Sequence, residues 1–135
     1  MLRPALLVIP LALAFAADPA REASSVITEL AASLTAGNLE LFLEPFDRGM
    51  PNYATLSANV AALMRQGQTQ SYIEVVKNEG DDKTRTIEAD WELRIQRDTD
   101  ATASTGRESH IFVRMEKQGK RWRIMAFSPV GFLEP

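Results

Sequence analysis

Three observations predict an α+β domain, with the helices first and the strands after. Hydrophobic residues make up 45% and charged residues 24%, with only 7 Gly and 7 Pro among 135, which is globular composition. Up to Gln66 the apolar residues recur every three or four positions, and from Gln68 onward they alternate. The period changes only once, and short polar turns divide the alternating part. That is the pattern of helices packed on one face of an antiparallel meander.

The first segment, MLRPALLVIPLALAFAA, places Arg3 before an apolar run that ends in Ala14-Phe15-Ala16. It reads as a secretory signal peptide over residues 1–16, cut after Ala16. The run is shorter than the ~20 residues that cross a bilayer. Residues 17–135 are then a single domain, exported to the periplasm or the medium and free of the membrane once cleaved.

Asp18-Pro19 opens the first helix with an N-cap carboxylate and a proline at the first helical position. Ala23, Val26, Ile27, Leu30, Ala31 and Leu34 form its apolar face, and Gly37 ends it. Asn38 is placed to cap a short second helix carrying Leu39, Phe42, Leu43 and Phe46, broken by Pro45. Asn52 is expected to cap a third helix with Leu56, Val60, Leu63 and Met64 inward and Gly67 as its stop.

The strands follow. Over Thr69–Lys77, Ser71, Ile73 and Val75 face one way, and Tyr72, Glu74 and Val76 the other. Residues 78–82 read as a turn. Over Thr84–Arg97, the inward set Ile87, Ala89, Trp91, Leu93 and Ile95 alternates with polar residues. Residues 98–106 read as a polar loop. Arg107–Lys117 turns Ser109, Ile111, Val113 and Met115 inward, and a turn at Gln118-Gly119 leads into Arg121–Ser128. In this last strand the alternation puts Trp122, Ile124 and Ala126 on one side and Arg123, Met125 and Phe127 on the other.

Leu34-Thr35-Ala36-Gly37-Asn38, Phe42, Phe46, Trp91 and Trp122-Arg123-Ile124 carry a resemblance to the nuclear transport factor 2-like superfamily, which includes ketosteroid isomerases and SnoaL-type cyclases. The block Phe46–Tyr53 is similar to a signature of a small exported bacterial branch of unknown function. The resemblance covers residues 18–132. It implies a cone: about four strongly curved antiparallel strands wrap the helices and leave a pocket at the wide end. It also implies a homodimer formed through the outer face of the sheet.

Composition excludes much chemistry. The chain has no Cys and one His, so thiol catalysis, disulfides and multi-histidine metal centres are out. A net charge of −3 argues against a nucleic-acid surface. No metal and no cofactor are expected; the acidic run Glu79–Asp82 lacks EF-hand spacing. By alternation His110 points outward, away from the cone's interior. Asp90 and Glu92 share that parity, as a solvated or dimer-facing surface with cross-strand ion pairs.

The inward strand positions carry no acid and no histidine. The expected function is therefore a non-catalytic domain that binds a small apolar ligand or a protein partner. Its pocket is drawn from Phe42, Phe46, Tyr53, Trp91 and Ser109. The alternative is a cofactor-free isomerase, lyase or hydrolase with Asp47 and Tyr53 as catalytic residues at the pocket mouth. The expected dimer face comprises His110, Phe112, Arg123, Met125 and Phe127, unless the C-terminal segment 129–133 folds over it.

Overall fold

The computed structural model describes residues 18–98 and 104–135. The expected signal peptide and residues 99–103 of the expected polar loop lie outside them. Helix α1 (Pro19–Ala36) starts where the Asp18 carboxylate accepts the Arg21 N–H at 3.2 Å. It stops at Gly37, whose φ of 69° is open to glycine without strain. Helix α2 (Leu39–Leu43) is capped by the Asn38 side chain, which accepts the Leu41 N–H. Helix α3 (Tyr53–Gln66) begins differently from expectation. Asn52 sits at φ 65° and makes no side-chain cap. It is a left-handed turn residue there, a conformation asparagine tolerates better than most.

Four antiparallel strands follow in spatial order β1 (Gly67–Gly80), β2 (Thr84–Arg97), β3 (Ser104–Gln118) and β4 (Arg121–Ser128). β1 and β4 do not pair, so the sheet curls around the helices without closing. The Pro45–Asp47 segment covers part of the β4 edge: Ile124 N–H donates to Pro45 O at 2.8 Å and Asp47 N–H to Ile124 O at 2.9 Å.

Two bulges decide what the alternation alone misjudged. The first, between Val75 and Lys77, shifts the register and lets β1 stay paired through Gly80. Residues 78–80 therefore belong to the strand rather than to the expected turn. Asn78 then accepts from the Arg85 Nε at 2.7 Å and donates to Ala20 O and Ser24 Oγ on α1. The Arg85 guanidinium, almost wholly buried, also donates to the carbonyls of Asp81 and Asn78. This network ties the first hairpin to α1.

The second bulge opposes Arg114 to Ala126 but Met115 to Ile124, leaving Met125 unpaired. An extra residue in one strand reverses the facing of everything beyond it. Phe127 is therefore not on the outer face, as strict alternation predicts. It is 5% exposed and meets the Phe46 ring edge-on at 5.8 Å.

The core lies between the helices and the inner face of the sheet. Phe42 and Phe46 stack at 5.6 Å. The 3-10 turn Val130–Leu133 joins this layer: Phe132 packs edge-on against Trp91 at 5.6 Å, and Arg107 holds Phe132 O and Glu134 O. The C-terminal segment thus lies on the helix side and not over the outer face.

Candidate functional site

Three side chains expected to line an interior pocket are packed into the core. The side chains of Phe42, Phe46 and Trp91 are each at most 1% exposed and belong to one continuous core with Met115, Ile124 and Leu133. Phe132 sits against Trp91, on the face where an apolar ligand was expected. Ser109 is half-buried and lies opposite Trp91 across the β2–β3 ladder, and its hydroxyl reaches only the neighbouring His110 carbonyl at 3.4 Å. Tyr53 packs partly against the core and lines a groove of about 600 Å³ with Phe46, Leu39, Leu43, Arg48 and Arg123.

Asp47 does not line that groove. Its carboxylate turns into its own loop and accepts the Gly49 N–H at 3.0 Å, an Asx turn.

The outer face of the sheet is the more developed surface. Three neighbouring strands bring Glu74, Asp90 and His110 into one row, with Tyr72, Glu92 and Glu108 in the next outward row. Together they line an open groove of about 500 Å³. His110 bridges two carboxylates of β2: Nδ1 lies 2.7 Å from Asp90 Oδ1 and Nε2 lies 2.7 Å from Glu88 Oε1. Only the imidazolium donates from both nitrogens. Hydrogen bonding to Glu88, then to Asp90, holds the His110 pKa above its ordinary value, and the two negative charges add to this against partial desolvation. The same contact holds Glu88 below the usual carboxylate value, with help from Lys77 Nζ at 3.5 Å.

His110 and Phe112 meet edge-on at 4.9 Å. Phe112, Tyr72 and Val76 are about half exposed or more, and with Leu41 they are the exposed large apolar side chains among the described residues. Met125 is half-buried on β4. Arg123 leaves the sheet for the β4 edge, where it donates to the carbonyls of Glu44 and Phe46. Of the expected outer-face set, His110, Phe112 and Arg123 hold their strand positions, Met125 occupies the bulge, and Phe127 is inside. Tyr72 and Val76 were missed as members of this face, although the parity of β1 already pointed them outward. Among the described residues no three His, Cys, Asp or Glu side chains are grouped to hold a metal ion.

No family model matches the sequence, and no curated protein matches it. Solved structures match its architecture. A nuclear transport factor 2 (NTF2-like) superfamily protein from Salmonella enterica serovar Typhimurium superposes with a TM-score of 0.64 at 13% identity, over 79% of this chain and 86% of its own. The fold is that of the nuclear transport factor 2-like superfamily. A conserved protein from Planctomyces limnophilus gives a TM-score of 0.72 at 5% identity over 79% and 91% of the two chains. An NTF2-like protein of unknown function from Shewanella oneidensis gives 0.61 at 11% identity over 82% and 97%. At such identities the likeness concerns the fold, and side chains do not transfer.

Proposed function

We propose that this NTF2-like chain is a non-catalytic binding domain whose docking surface is the outer face of its sheet, and that the partner is a second copy. The observation that carries the reading is the Phe132–Trp91 contact, which packs the interior with the chain's own aromatic residues. A domain without an open interior recess there works through its surface.

The outer face is suited to that task. It carries Tyr72, Val76 and Phe112 exposed on the sheet face turned away from the described helices. Its charges are unevenly spread: Glu74, Glu88, Asp90, Glu92 and Glu108 outnumber Lys77 and Arg94 across β1, β2 and the facing half of β3, while Arg114, Arg121 and Arg123 outnumber Glu116 toward β4. A two-fold axis running along the strands between β2 and β3 sets each acidic half against the partner's basic half. The apolar leader supports export of this domain; the mass of protein recovered from outside the cytoplasm, shorter by residues 1–16, tests that part.

Light scattering of the untagged protein tests the docking. The expected result is a dimer that Tyr72→Glu together with Phe112→Glu converts to monomer while the circular dichroism spectrum stays that of the folded chain. Both residues are exposed, so their loss leaves the core intact. A wild-type monomer at every concentration overturns the reading.

A further inference from the structure

The docking face carries an ionisable bridge in its middle. His110 stands on β3 beside the axis proposed above, and its ring nitrogens are tied to Asp90 and Glu88 on β2. This inference rests on that reading of the face and concerns its regulation. We infer that self-association through the outer sheet face is proton-linked, with His110 as the linking group and tighter pairing on the acid side of neutrality.

Charged side chains from three strands surround the ring. β1 contributes Glu74 in the same row and Lys77 one row away. β2 contributes Glu88, Asp90 and Glu92, with Arg94 beyond and turned to Glu92 at 3.3 Å. β3 itself contributes Glu108 and Arg114, the latter engaged with Glu116 at 3.0 Å. On β4 the residue paired with Phe112 is Ser128, which carries no charge. The immediate field at His110 is therefore dominated by five carboxylates, opposed by Lys77.

Protonated, the ring gives one N–H to each carboxylate and holds β2 and β3 together through side chains as well as backbone. Neutral, it has a single N–H, so one carboxylate loses its donor and the cluster gains a full negative charge. A second copy laid on this face removes water from the cluster and adds its own carboxylates near the axis. Both faces then meet at lower cost with the imidazolium present than without it. A protein that binds protons more strongly when paired takes up protons on pairing. Within one chain the raised His110 value and the lowered Glu88 value each favour the charged pair.

The chain has one histidine, so its imidazole titration is read without ambiguity. Proton NMR of the untagged protein, at dilute and at concentrated settings, measures that titration directly. The expected result is a His110 pKa that rises with protein concentration. In sedimentation the dimer dissociation constant is expected to weaken about tenfold from about pH 6 to about pH 9, two histidines each releasing part of a proton. In His110→Gln, which keeps polarity and loses the titration, the dissociation constant is expected to stay flat across the same range. A dimer whose affinity ignores pH, or a pH dependence that survives in His110→Gln, overturns the proton linkage while leaving the docking face standing. A monomer under all conditions removes the docking face and the linkage with it.

Discussion

Replacing Phe132 by alanine tests whether the chain's own C-terminus fills the cone. The ring is 6% exposed, packs edge-on against Trp91 at 5.6 Å, and belongs to the main core. Removing a ring buried to this degree costs about 3 kcal/mol, transfer and cavity terms together. The described domain is of ordinary size, so each kcal/mol lowers the melting temperature by about 4 °C, and the expected fall is about 12 °C. The space left beside Trp91 is bordered by core side chains and by the unpartnered Trp91 indole N–H, and a small aromatic molecule is expected to fit it. Benzene or indole at ten times its dissociation constant then returns about 1.4 kcal/mol, about 6 °C. Differential scanning fluorimetry on both proteins, with and without the compound, reads all of this. The wild type should not respond. An equal stabilisation of the wild type means that the interior already has room, and the reasoning from Phe132 fails. So does a melting temperature unchanged in Phe132→Ala.

Other outcomes follow from the same geometry. Arg85→Met leaves Asn78 Oδ1 and the carbonyls of Asn78 and Asp81 without their buried donor, and chemical denaturation should report a loss of about 2 kcal/mol. Gly67→Ala puts a Cβ 2.0 Å from Gln96 O on the paired strand, so the start of β1 must shift, and hydrogen exchange there should accelerate at least tenfold. Asp18→Ala removes the α1 cap and should cost about 1 kcal/mol by the same denaturation assay. The His110 bridge contributes to folding stability fully below its ordinary 6.5, and this is lost as pH rises through its raised folded value. On the acid side Glu88 contributes above its ordinary 4.5 and is lost as pH falls through its lowered value. The melting difference between wild type and His110→Gln should therefore be largest between those two ordinary values and vanish well above neutrality.

Most of the secondary structure was legible because local signals were strong and mutually consistent. Asp18-Pro19, Gly37 and Asn38 mark helix ends by their own side-chain and backbone chemistry, and β2 matches its expected limits because every second residue from Ile87 to Ile95 is apolar. The outward facing of His110 was legible for the same reason: β3 keeps strict alternation from Ser109 to Met115. Asn52 was misread because capping and left-handed turning are both asparagine roles, and only the path of the preceding loop chooses between them.

The candidate sites were less legible. Val76 and Met125 are bulged residues, and nothing in their identity announces it; a bulge appears only when the partner strand sets the register. That one displaced residue carried Phe127 from the expected docking face into the core. Likewise, an apolar inward face reads the same whether it lines a pocket or packs against its own chain.

By itself the sequence determined the order of elements, the single change of hydrophobic period, the lack of thiol and multi-histidine chemistry, and the parity that turns His110 away from the core. These are local or compositional properties, set by residues within a few positions of one another. The tertiary structure alone decided that Phe132 returns to cover Trp91, that His110 lies within hydrogen-bond reach of both Glu88 and Asp90, and that Phe127 faces inward. Each of these depends on residues far apart in the chain, brought together by strand register and by the closing of the last segment over the sheet.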